Sequence, residues 1–65
     1  MAFYKELKTA TKPDGITITA YEVTEKLAKA PRYEIIKSRN GIGIETARAA
    51  RTTWKRTFSR IESEA

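Results

Sequence analysis

From residue 44 to residue 65 the chain contains neither Gly nor Pro, and every Gly and Pro it has lies before that point. These two residues turn or terminate regular structure, so the backbone is punctuated early and unbroken late. Within the unbroken part, Ile44, Ala47, Ala50, Trp54, Phe58 and Ile61 recur at steps of three and four. That spacing marks one face of a helix and predicts a long amphipathic helix over 44–61. A Trp and a Phe on such a stripe ordinarily belong to a core, so Trp54 and Phe58 are expected to pack inward.

The punctuated part admits two readings. Lys12-Pro13-Asp14-Gly15 is a strong turn signal, because Pro presets φ, Asp tolerates turn geometry and Gly supplies a positive φ. Ile16-Thr17-Ile18-Thr19 then alternates as a strand does, which makes 3–18 a β-hairpin. Phe3, Leu7 and Ala10 also fit a short helix. Thr19 and Glu22 have capping-box spacing, Lys26 and Lys29 suit a helix C-terminus, and Pro31 is a stop. A helix over 20–29 is expected. Over 32–44, Asn40-Gly41 between apolar flanks signals a hairpin. The same residues serve as the left-handed terminator of a helix over 32–39, closed by Ile42. The helical reading is preferred because the long helix follows it.

The resulting fold class is mainly α. It is a single small domain over 1–65 with helix-turn-helix character, a long basic C-terminal helix and, on the hairpin reading of 3–18, an N-terminal hairpin. The alternative is α+β, with hairpins at 3–18 and 33–45 packed on the C-terminal helix. A chain of 65 residues buries little surface. With no Cys and no His, it has neither disulfides nor the commonest metal ligand and proton shuttle. No cofactor or metal is expected, and no catalysis, since no carboxylate pair shows a shared-site spacing. The longest apolar run is residues 1–4, so no membrane partner is expected, and absence of Cys fits a cytoplasmic location.

The charge is unevenly spread. The formal net charge is +5. Between residues 46 and 60 stand Arg48, Arg51, Lys55, Arg56 and Arg60 with no acid among them. A solvated helix usually mixes signs at i,i+4, so an acid-free stretch points to a polyanionic partner. Arg in particular suits phosphate and guanine contacts.

With 32–39 taken as helix, residues 35–51 resemble the helix-turn-helix of resolvase and invertase DNA-binding domains. The matching residues are Gly41, Ile42, Gly43, Ile44 and Thr46. The resemblance implies that Gly41 makes the turn and Ile42 plugs it into the core. It also implies that Thr46 and Arg48 lie near base edges and Arg51 and Lys55 near the backbone. The expected function is a small basic DNA-binding protein, a phage- or plasmid-like regulator of transcriptional or excisionase and architectural type. Its candidate contacts are Thr46, Arg48, Arg51, Lys55, Arg56 and Arg60, and a homodimer would extend them. The competing expectation is a protein-interaction module, a small inhibitor or adaptor docking its basic helix on an acidic partner. RNA binding and a membrane-surface role rank lower.

Overall fold

The computed structural model describes residues 2–64. Four strands come first: β1 (Ala2–Thr11), β2 (Ile16–Glu25), β3 (Arg32–Arg39) and β4 (Ile42–Ala49). One helix, α1 (Trp54–Ser63), follows. The strands form an antiparallel sheet in sequence order, β1-β2-β3-β4. The mainly α, helix-turn-helix reading is therefore overturned. Residues 35–51 are a β-hairpin rather than two helices.

The turn residues decide this outcome. In the first hairpin, the Gly15 amide donates to the Lys12 carbonyl at 3.0 Å, and the Asp14 carboxylate accepts from the Ile16 amide at 3.1 Å. Gly15 adopts φ +89. In the second, Asn40 (φ 54) and Gly41 (φ 80) both occupy the left-handed region. Two consecutive positive φ values give the tight reversal whose twist matches paired strands. The same two residues would have capped a helix only if β2 had offered β3 no partner.

The helix expected over 20–29 is instead the second half of β2 and the loop after it. Its β-branched and aromatic residues, Thr19, Tyr21, Val23 and Thr24, favour a pleated, half-buried surface. Central placement between β1 and β3 satisfies the backbone on both edges, which a capping box cannot match. The long helix is also corrected. Residues 42–49 are strand, residues 50–53 turn, and only Trp54–Ser63 is helix. Thr53 occupies the N-cap without bonding the helix amides; its hydroxyl accepts from the Ala50 amide at 3.0 Å and so holds the turn.

Alternation along the strands assigns each residue to one of two faces. Ile16, Ile18 and Ala20 of β2 share a face with Ile35 of β3 and with Ala47 and Ala49 of β4. Phe58 and Ile61 of α1 close over this face, with Leu7, Ala10 and Trp54 at the margin. Phe58 and Ile18 are wholly buried. The small side chains of Ala47 and Ala49 leave room for the helix to lie close. Each outer strand carries an irregularity, between Glu6 and Lys8 in β1 and opposite Lys37/Ser38 in β4. The first brings Leu7 and Lys8 to the same side, so Leu7 reaches the core and the Lys8 ammonium lies 4.8 Å from the Phe58 ring centre. The helix runs from the end of β4 toward the first hairpin, where the Lys12 ammonium donates to the Glu64 carbonyl. No helix among the described residues is long and apolar enough to cross a membrane.

Candidate nucleic-acid interface

Among the described residues no helix or further strand packs on the far face of the sheet, although Val23, Thr19 and Glu34 on it are buried. Its residues include Tyr4, Glu6, Thr9, Thr19, Tyr21, Val23, Glu34, Ile36, Thr46 and Arg48. Tyr4 and Tyr21 meet edge to face, with ring centres 5.7 Å apart. Arg32 binds Glu34 and Glu25, each at 2.8 Å. The hydrogen bond to Glu34 is the main reason its guanidinium pKa is raised, against a lowering effect of burial. This face carries the acids Glu6, Glu25 and Glu34 against the cations Arg32 and Arg48, of which Arg48 lies opposite Glu34 in register.

The helix side differs. The strands contribute Lys5, Lys8, Lys37 and Arg39 to it, and the turn and helix add Arg51, Lys55, Arg56 and Arg60. Its acids are Glu22, Glu45, Glu62 and Glu64. Glu22 accepts the Tyr33 hydroxyl at 2.9 Å, and Glu45 stands across from Lys37 in register. Glu64 lies 3.7 Å from Arg60, a loose i,i+4 contact on an exposed surface. Among the described residues, Arg51, Lys55 and Arg56 have no carboxylate within ion-pair distance. All three are exposed.

The six residues singled out from the sequence are thus divided. Arg51, Lys55, Arg56 and Arg60 gather on the helix layer. Thr46 and Arg48 lie on β4 facing the other way, beside Ile36 and Glu34. The row Arg48-Arg51-Lys55 that a continuous helix would have made does not exist. The hydroxyls interleaved with the cations are partly engaged too, since Thr57 donates to the Thr53 carbonyl at 3.1 Å.

Arg51 occupies the turn before α1 and borders a cleft of about 330 Å³ with Glu22, Ala30, Pro31 and Tyr33. The Tyr33 pKa is raised, first because its hydroxyl bonds the Glu22 carboxylate, then by burial and by the charge of Glu22; the positive charge of Arg51 opposes the shift. The cleft brings the β2–β3 loop against the start of α1. Lys26 and Lys29 of that loop were missed as surface groups, because a helix over 20–29 makes them dipole partners rather than an outward pair. Lys5 and Lys8 were missed because only the pairing of β1 with β2 shows which side they face.

Comparison with protein-family models, with curated proteins and with solved structures returns no match to this chain.

Proposed function

We propose that the protein is a small DNA-binding protein that lays its helix layer along the phosphate backbone. The observation that carries this reading is the exposed set Arg51, Lys55 and Arg56, without ion-pair partners among the described residues, with Arg60 beyond it, on one layer of a molecule whose other face has no excess of cations. Uncompensated cations on an ordered surface repel one another, and a polyanion relieves that repulsion. Each cation that neutralises a phosphate releases counterions, which makes the affinity entropic in origin and steeply salt-dependent.

The binding mode follows from the layer geometry. α1 has ten residues, and its apolar side is committed to the sheet. Only its outer side is available, so contacts to phosphate dominate over contacts to base edges, and sequence selectivity is low. The role is that of a regulatory or architectural protein acting in the cytoplasm. The alternative of a helix docking in an acidic partner's groove needs apolar anchors on the outer side. Phe58 and Ile61 are buried against the sheet and cannot serve without unfolding the domain. Where a second copy pairs with the first, the free edge of β4, with Ile42 and Ile44 exposed, is the surface it would use.

The test is fluorescence anisotropy of a labelled random duplex across a salt series. Four phosphate contacts give a log–log slope of roughly −4, at about −0.9 per contact. A duplex that does not bind even at low salt rules the reading out.

A further inference from the structure

The loop between β2 and β3 carries Leu27, which is 96% exposed, more than Ile42, Phe3, Tyr4 or Ile44. An isolated surface Leu needs no explanation, but this one has a particular setting. Lys26 precedes it and Lys29 follows, and neither has a carboxylate within ion-pair distance among the described residues. The acid at the base of the loop is occupied, since Glu25 is held by Arg32 at 2.8 Å. Arg32 also grips Glu34 at 2.8 Å, and the Ala28 amide donates to the Glu25 carbonyl at 3.1 Å, so the loop is braced at its root. Its far end, Ala30 and Pro31, borders the same cleft as Arg51. The loop therefore continues the cationic track of α1 and ends it in an apolar tip.

An apolar tip between two ammonium groups matches a target with anionic groups outside and an apolar layer within. Duplex nucleic acid has that arrangement, with phosphates flanking a stack of base pairs. Side chains such as Leu enter between base steps, unstack them and bend the duplex. An anionic bilayer has a similar order of layers, but a single Leu gives it very little anchoring. Continuity with Arg51 and α1 favours the duplex.

Resting on the DNA-binding reading above, we infer that the β2–β3 loop inserts Leu27 as a wedge between base steps of a duplex held along α1, and so bends it. Lys26 and Lys29 hold the flanking phosphates. The wedge adds non-ionic contact to a surface that otherwise binds by charge.

The experiment compares the full chain with Leu27→Ala on a duplex carrying a donor and an acceptor dye at its ends, with anisotropy on the same samples. The parent is expected to shorten the end-to-end distance. Leu27→Ala is expected to bind about tenfold more weakly, with an unchanged salt slope and the bend lost. Leu27→Gln, equally exposed and polar, is expected to behave the same way, and the circular dichroism of each variant checks that the fold is intact. A parent that binds while Leu27→Ala bends the duplex equally overturns the wedge and leaves DNA binding standing. A parent that does not bind duplex at all overturns both. Leu27-dependent binding to vesicles of anionic lipid, with no bending of duplex, overturns the wedge in favour of a membrane.

Discussion

The two faces of the sheet are made by the same four strands, residue by residue in alternation, and yet they differ in chemistry. One face holds Ile16, Ile18, Ala20 and Ile35 under Phe58 and Ile61 and is rimmed by Arg51, Lys55 and Arg56, which have no ion-pair partner among the described residues. The other holds threonines, two tyrosines, a buried Val23 and an Arg32–Glu25–Glu34 ion cluster, with no helix or further strand across it among the described residues. The difference teaches that net charge alone does not locate a basic surface. In a strand, adjacent residues such as Ala47 and Arg48 belong to opposite sides, so the register decides which cations share a surface. Here the register places Arg48 apart from Arg51, although only Ala49 and Ala50 lie between them.

The comparison breaks most visibly through its core side. Phe58→Ala removes a wholly buried ring and should cost about 3–5 kcal/mol, a large part of the stability of so small a domain. Thermal denaturation followed by circular dichroism should show a population largely unfolded at room temperature. Tyr4→Ala, on the uncovered face, should leave a cooperative transition in place.

Neighbouring residues of β4 sharpen the contrast. Ala47 packs against the core under α1, so Ala47→Leu overfills that space and should destabilise by about 1–3 kcal/mol. Thr46 is exposed on the other side, and Thr46→Val should stay within about 0.5 kcal/mol. Equal effects in denaturant titrations would mean that the two residues do not face opposite ways.

A pH dependence should report the cleft between the faces' edge and the helix start. The Tyr33 pKa is raised in the folded state, chiefly by the hydrogen bond to Glu22. Folding therefore favours the protonated phenol. That contribution is fully present below the ordinary Tyr pKa near 10 and fades as pH climbs through the raised folded value. Stability measured from pH 8 upward should hold to about pH 10 and decline above it as Tyr33 ionises, and Tyr33→Phe should flatten the declining part of the profile.

Much of this architecture was legible locally. Pro13-Asp14-Gly15 and Asn40-Gly41 mark the two tight turns, and Trp54, Phe58 and Ile61 mark the buried side of α1. The turn signal at Asn40-Gly41 competes in the sequence with Ile44, Ala47 and Ala50, which continue the helical spacing backward. Ala is a strong helix former and fits any face, so it carries no information about period. Its small size in β4 makes sense only once a helix is known to lie over it. The charge concentration of the candidate site was readable because it is local in sequence. Its division between two faces, and the outward position of Lys26, Leu27 and Lys29, depend on pairing between distant strands.

The central claim is that the helix layer, and not the sheet's open face, carries polyanion binding. It is tested most directly by measuring the salt slope of duplex binding for three proteins side by side. Replacing Arg51, Lys55 and Arg56 together by Ala should flatten the slope by nearly three units, about 0.9 for each contact removed, with the fold preserved. Arg48→Ala, on the other side of the same chain, should leave it unchanged. A slope that responds to Arg48 and ignores the triple replacement would place the binding surface on the open face and contradict the account.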